Sequence, residues 1–412
     1  MARRSGWRRR RGNPVLYWLR EQFSRRPLPV WIIAVSHVLA LGIALVLYAL
    51  PHHVIPHAET AVGIVSSRNG GAAAAEIAAT DLQEDGGEAD AENEPESIAD
   101  ESEDTGNGEM KESAQGDESL PGEQAAPEQV APEDSGTETA AVQDAAALEV
   151  DGTGSFRHKF ADKFTDGEVV RTDESYISGN INVTMYSQYV EEARAMTYVA
   201  DVYVADVSCL MTAFARDQYG RGYTEWITDV AERYKSVVTL NGDYYGCRNV
   251  GVIIRNGVLY RDRTARGDIA VLYWDGHMEA IKSSRFDTMT EIDKGAYQSW
   301  SFGPSLLDEE GKPLKRFNCD ANLRKKNPRS AIGYFEPGHY CLVAVDGRND
   351  VSHGATMTQL ANIMSNLGCK LAYNLDGGQT SLFCAGTKMV NDPSQGGRDS
   401  SDYIMIVDRI TQ

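Results

Sequence analysis

Residues 342–378 read LVAVDGRNDVSHGATMTQLANIMSNLGCKLAYNLDGG. The apolar run LVAV stops at Asp346-Gly347. TMTQLANIMSNLG then has the spacing of an amphipathic helix, with Gly368 placed for its C-terminal cap. A second apolar run, KLAYNL, stops at Asp376-Gly377-Gly378. Two strands joined by one helix are expected to lie parallel, as neighbours or near neighbours. Asp346 and Asp376 then fall at one carboxyl edge of a sheet, where open α/β sheets place their ligands.

A third run, TLNGDYYG, ends in the same way on Asn241 and Asp243. Asp-Gly and Asn-Gly pairs are common turn formers. Asn256-Gly257 and Asp275-Gly276 are read as hairpin turns, the first as the favoured type I′ pair. Three acids at equivalent strand ends, two of them in one crossover unit, point instead to a site. Arg329, in KNPRSA, leads into the strand SAIGYF. Its planar guanidinium suits bidentate contact with phosphate or carboxylate. Asp243, Asp346 and Asp376 are also hard oxygen donors suited to calcium or magnesium. DGRNDVSHG lacks the sixth-position glycine and final glutamate of an EF-hand loop.

Around these runs the pattern is strand-rich. INVTMY (181–186) and TYVADVYVAD (197–206) alternate as strands, YTEWITDVAERYK (223–235) has helical spacing, and TSLFCAGTKMV and DYIMIVD add strands near the end. Residues 170–412 are therefore expected to form an α+β domain, a mixed sheet with flanking helices, long enough for a substantial core. All six cysteines lie in this part of the chain, with no C-x-x-C pair. In an exported domain they permit up to three disulfides. Cys341 and Cys369 sit in apolar runs and also fit buried thiols.

The net charge of −20 is unevenly spread. Residues 1–29 carry nine arginines and one glutamate, whereas the acidic stretch 59–152 holds only Arg68 and Lys111 as bases. The charge thus describes a segment and not the surface of the domain. Residues 30–50, VWIIAVSHVLALGIALVLYAL, are apolar over a length that spans a bilayer core of about 30 Å. They lack the small-x-small site of a cleaved signal. The expectation is an uncleaved signal anchor with a basic cytoplasmic tail over 1–29, by the positive-inside rule. Residues 51–165 are expected to be a disordered acidic linker, too poor in apolar side chains to fold. It would tether the 170–412 domain outside the membrane. No nucleic-acid partner is expected.

LNGDYY (240–245), FGPSLLDEEGKP (302–313), NPRSAIGY (327–334), VAVDGRNDVSHGATMTQLANIM (343–364) and YNLDGGQTS (373–381) occur in that order. Together they resemble the phosphodiester glycosidase family. The resemblance implies a hydrolase acting on sugar-1-phosphodiesters at the anomeric carbon; the outward-facing topology adds an envelope or exopolysaccharide glycan as the expected substrate. The resemblance names no required cofactor and leaves calcium or magnesium as the option. It implies Arg329 as phosphate clamp and Asp376 or Asp346 as nucleophile or base for water. Gly377 and Gly378 would offer backbone N–H groups to phosphate, and Asn241 and Asp243 would hold sugar hydroxyls. Asn374, Gln379, Thr380, Ser381 and Ser352 complete the substrate-binding set, with His353 a weaker candidate acid or base. The family's last motif reads Asn-x-Asp-Gly-Gly-Gly-Ser. Here Gln379 and Thr380 replace the third glycine and the serine, which places substrate choice at Gln379. The alternative is a glycan-phosphate binding module, non-catalytic or cation-dependent.

Overall fold

The computed structural model describes residues 30–49, 56–68, 72–74, 155–263 and 265–409. A helix occupies Val30–Ala49, where the apolar run predicts one. No helix among the described residues is long and apolar enough to cross a membrane, the described side chains of this one stopping at Leu45. The basic tail and the acid-rich middle of the linker lie outside the described residues.

The domain is built from two main sheets. A seven-stranded sheet runs, edge to edge, Leu371–Asn374, Arg329–Glu336, His339–Val345, Ala195–Val204, Ile181–Val190, Ser175–Ile177 and Val170–Arg171. A five-stranded sheet runs Lys388–Met389, Phe383–Ala385, Val238–Asn241, Asp402–Ile406 and Leu210–Phe214. Alternation along the strands gives each sheet an apolar inner face. Val183, Val202, Tyr340 and Leu342 of the first meet Leu240, Phe383 and Ile404 of the second in one core. The outer faces are covered too. Val199, Val343 and Val345 pack with Met357, Leu360 and Met364 of the helix Met357–Asn366. Leu382, Cys384 and Met405 pack with Ile227 and Val230 of the helix Ile227–Tyr234. The order of layers is helix, sheet, sheet, helix.

The crossover unit forms as expected. Its helix starts at a capping box of Thr356 and Gln359 and ends before Gly368, at φ +88°. Its two strands both run antiparallel to 329–336, which lies between them, so they are parallel and one strand apart. Arg329 is paired with Val345 and Ala331 with Asn374. Asp346, Arg329 and Asp376 therefore share one sheet edge. Because that strand is inserted, the expected mixed sheet is not formed. Every strand pair among the described residues is antiparallel. The Asn256-Gly257 hairpin has both residues at positive φ, 52° and 82°, as type I′ requires.

Three other expectations need correction. The helix expected over 223–235 begins only at Ile227, because Glu225 is drawn into a bridge with Ser400. All six cysteines are free thiols. The linker is not unstructured at its ends. His57–Ala58 pairs with Gly220–Arg221, and Ile64–Ser66 pairs with the Val258–Asp262 strand. Glu59 bonds Arg221 and Arg261, and Arg68 bonds Asp206. Downstream, Phe156 and Phe160 enter the core. These flanks carry the apolar side chains, VGIV and Phe156, that the acidic middle lacks.

Cys341 and Cys369 stand with their sulfurs 3.6 Å apart, directly over Gly333. A Cβ at 333 would meet both sulfurs at 2.6 Å. Gly333→Ala should therefore destabilise the fold by about 1–3 kcal/mol through overpacking. Urea unfolding would show this against Gly167→Ala, where a Cβ meets nothing within 4 Å.

Candidate active site

The 238–241 strand delivers Asn241-Gly242-Asp243 to the sheet edge, beside the start of the 402–406 strand. Gly242 has no side chain because a Cβ would fall 2.3–2.6 Å from the Asp402 carboxylate. Asp402 and Asp243 are both buried and share one buried cation. Arg255 Nη2 donates to Asp243 Oδ1 at 3.1 Å and to Asp402 Oδ2 at 2.7 Å. The Ser301 N–H donates to the other oxygen of Asp243 at 3.0 Å, and the Asp243 N–H donates to Asp402 Oδ1 at 3.2 Å. Burial, and then the neighbouring charge of Asp243, push Asp402 up to about 6.

Asp376 is held differently. No guanidinium hydrogen-bonds its carboxyl. Gly377 N–H donates to Oδ1 at 2.9 Å, and the Thr380 hydroxyl meets Oδ2. That hydroxyl also meets the Gly377 carbonyl at 2.7 Å. It has one proton for two acceptors, so the set is complete when Asp376 is protonated and donates to Thr380. Burial raises Asp376 to about 6; Thr380, Gly377, Arg398 and Arg248 oppose that rise. A buried carboxyl shifted to about 6 is the pattern of a catalytic acid or base.

The two arginines facing it come from loops. Arg248 follows the turn Tyr245–Cys247 and stacks on Phe302 at 4.9 Å. Its Nη2 bonds the Asp243 carbonyl at 2.7 Å, and its buried Nε has no protein partner. Arg398 is exposed and lies over the Tyr244 ring at 5.8 Å. Tyr244, in left-handed backbone at φ +60°, is pushed up to about 12 by burial and the Cys247 contact. Asn374 donates to the Gly303 carbonyl at 2.7 Å, and its fully buried Oδ1 is also without a partner. An unpaired donor and an unpaired acceptor flank the acid.

Several residues expected to touch substrate are committed elsewhere. Arg329 Nε donates to the Ala355 carbonyl at 2.9 Å, and its Nη2 donates to the carbonyls of Leu323 and Lys325. It is a clasp for those loops, not a phosphate clamp, and burial lowers it to about 10. Asp346 accepts from Asn391 Nδ2 at 2.9 Å and from the Asp392 N–H at 3.1 Å, so it anchors a loop; burial raises it. Asn241 donates to the Asp376 carbonyl and accepts from Ser330 and Leu382. With Asp243 on Arg255, neither is free for sugar hydroxyls. The Gly377 N–H serves Asp376, and the Gly378 N–H donates to the Pro328 carbonyl at 3.0 Å, so neither is left for phosphate. Ser381 bonds Ser330 and the Arg329 carbonyl. Ser352 receives the Met196 N–H. His353 docks by its N–H on the Arg194 carbonyl, and its ring makes no hydrogen bond with the three acids. Gln379 does stand at the site, bonded to Gln395.

The acids also fail as a cation cage. Among the described residues no group of three or more His, Cys, Asp or Glu side chains could hold a metal ion. Asp243 faces a guanidinium, Asp346 an amide and an N–H, and Asp376 a hydroxyl, three separate environments. The residues that carry the site and escaped the sequence reading are Tyr244, Arg248, Arg255, Arg398 and Asp402. A signal existed for two of them. GGRDSSD places Arg398 and Asp402 just before an apolar strand, the acid-at-a-strand-end pattern in reverse.

Every one of these five residues, and Asp376, lies in a single matched region. Residues 234–407 match the phosphodiester glycosidase family model. The chain is also similar to a curated bacterial protein, the SPbeta prophage-derived uncharacterized protein YomE of Bacillus subtilis (strain 168). The two are 32% identical over 184 residues, 43% of this chain and 29% of that protein. This chain thus spans less than a third of that relative's length. Among solved structures it is similar to the zebrafish N-acetylglucosamine-1-phosphodiester alpha-N-acetylglucosaminidase catalytic domain, auto-inhibited by pro-peptide. That likeness has 19% identity and a TM-score of 0.46 over 60% of this chain and 86% of the other. A hypothetical protein from Synechocystis gives 13% identity and a TM-score of 0.46 over 58% and 64%.

Removing Arg255 would leave two carboxylates buried without a cation. Arg255→Leu should cost about 3–5 kcal/mol of stability. Urea unfolding checks this, and the loss should shrink as pH falls below about 6, where Asp402 takes up a proton.

Proposed function

We propose that the chain is a hydrolase that cleaves sugar-1-phosphodiesters at the anomeric carbon, held outside the cell by a signal anchor over residues 30–50. The observation that carries this reading is Asp376: a buried carboxyl near 6, faced by two arginines and bordered by unpaired polar atoms, within the matched region.

The chemistry follows from those parts. A phosphate monoester is a good leaving group and needs little protonation. The phosphate enters between Arg248 and Arg398, whose charge balances its own and the charge that develops as it departs. The C–O bond at the anomeric carbon breaks, its electron pair leaving with the phosphate. Ionised Asp376 takes a proton from the attacking water as the new C–O bond forms, and releases it to solvent afterwards. Asp346, bound to Asn391 and Asp392, positions the loop that carries Arg398 and takes no part in proton transfer.

The setting extends this proposal. Residues 57–58 and 64–66 pair with strands of the domain, so only a short stretch of chain separates the domain from the proposed anchor. The substrate class suited to that place is an envelope glycan with sugar-phosphate diester links. Protease applied to intact cells should remove the domain and leave the tail; full protection of the domain would overturn the topology.

A chromogenic sugar-1-phosphodiester assay tests the activity. As a base, Asp376 works only when ionised, and burial raises it from 3.8 to about 6. The kcat/KM profile should therefore rise with pH and level off above about 6. Asp376→Asn should lose about 10²–10⁴ in kcat. Arg248→Gln and Arg398→Gln should chiefly raise KM. Wild-type turnover in Asp376→Asn would sink the assignment.

A further inference from the structure

The loop that presents Arg398 is fixed at both ends. Before it, Asp346 holds the Asn391 side chain and the Asp392 N–H. After it, Ser400 pairs with Glu225 through two backbone hydrogen bonds of 3.1 and 3.2 Å. Between these pins the backbone is left-handed at three successive residues, Gln395, Gly396 and Gly397, at φ 54°, 81° and 89°. Gln395 is not a glycine, so that conformation is disfavoured for it and needs outside support. Its side chain accepts one hydrogen bond, from Gln379 Nε2 to Oε1, while the turn itself is closed by the Gly396 N–H on the Pro393 carbonyl at 3.1 Å and the Gly397 N–H on the Ser394 carbonyl at 3.0 Å. Gln379 sits three residues after Asp376, on the same short turn as Thr380.

We infer that the Gln379–Gln395 pair is a latch that sets Arg398 in its place over the Tyr244 ring and so determines the preference of the site for an anionic phosphodiester over a neutral glycoside. This rests on the hydrolase reading for its substrate and deepens it. The side chain at 379 is the means. A glycine there would leave Gln395 without its partner and the 393–399 loop tied only by its backbone turn bonds between the pins. Arg398 would then meet a phosphate from a spread of positions, and its contribution to phosphate binding would fall. The neutral part of a substrate does not contact Arg398, so binding of a neutral glycoside would be little changed. Gln379 is on this account a positioning residue. It acts through Gln395 and Arg398 and touches no reacting atom.

The full-length chain and three variants, Gln379→Gly, Gln395→Ala and the double variant, decide the matter. Amide hydrogen exchange across 393–399 should quicken about tenfold in each, with the rest of the domain unchanged. Affinity for inorganic phosphate, read by titration calorimetry, should fall about tenfold, the size of one weakened charge-assisted contact. The ratio of kcat/KM for a sugar-1-phosphodiester to that for a neutral aryl glycoside of the same sugar should fall by a similar factor, through KM. The double variant should match the single ones, because both remove the same contact. Unchanged exchange over 393–399 would overturn the latch, as would equal losses on the charged and neutral substrates. A wild type that turns over neither substrate would instead defeat the hydrolase reading, while exchange and phosphate affinity would still judge the latch.

Discussion

One guanidinium carries much of this architecture. Arg255 stands at the end of its strand and reaches Asp243 at the edge of the five-stranded sheet and Asp402 on the neighbouring strand. Its Nη1 also donates to the carbonyls of Ile254 and Ser299, the latter on the Ala296–Trp300 strand of a third sheet. Strands of three sheets thus converge on one buried cation. A buried ion pair of this kind is weak evidence for stability, since desolvation offsets most of the attraction. It is strong evidence for specificity of place. Two carboxylates and a guanidinium can be buried together only in the arrangement where all are paired, and that arrangement fixes Gly242 against Asp402. The Asp376 turn leans on the same edge, its N–H donating to the Gly242 carbonyl and its carbonyl accepting from Asn241.

The polar residues around the edge then divide by what they have left to offer. Asn241, Ser330, Ser381 and Asn391 form a chain of short hydrogen bonds among themselves and with backbone. Their donors and acceptors are spent within the protein, and they hold the strand ends in register. Arg248 Nε and Asn374 Oδ1 are buried and unspent. An unmade hydrogen bond in the interior costs about 1–3 kcal/mol. Arg255 Nε, Trp300 Nε1 and Ser394 Oγ are buried without a partner as well.

This division also marks the limit of the sequence. The crossover unit was legible because hydrophobic period, capping residues and a terminal glycine all agreed over more than thirty residues. Acids at strand ends were legible as an edge cluster for the same reason. The role of each was not, because a strand-end carboxylate can face the cleft or turn back to anchor a loop. Asp346 turned back, since Asn391 and the Asp392 N–H, about 45 residues downstream, come to meet it. Arg329 was misread in the same way, its guanidinium closing on three nearby carbonyls instead of opening to a ligand. Arg248 and Arg398 sit on loops with no periodic pattern, where only three-dimensional proximity gives a charge its meaning. The docking of 57–66 was hidden by its position next to a long acidic stretch whose composition dominated the reading.

The three acids show how one edge assigns different chemistry to the same side chain. Asp243 is bound directly to a cation and to a backbone N–H, so its charge is fixed in place. Asp346 is also tied by neutral donors, although burial raises it. Asp376 is buried as deeply, but its nearest donors are one N–H and a shared hydroxyl, with the arginines set further off. Desolvation therefore exceeds the stabilisation of its charge, and its proton is lost near neutrality instead of in acid. Environment separates carboxyls into anchors and titrating groups in this way wherever acid–base chemistry is needed at neutral pH. The Gly377-Gly378 turn follows the same logic. A Cβ at 377 would lie 2.5 Å from the Pro328 carbonyl, so the missing side chain lets the turn close and bring Thr380 onto Asp376. The glycines serve the acid by bending the chain back to it.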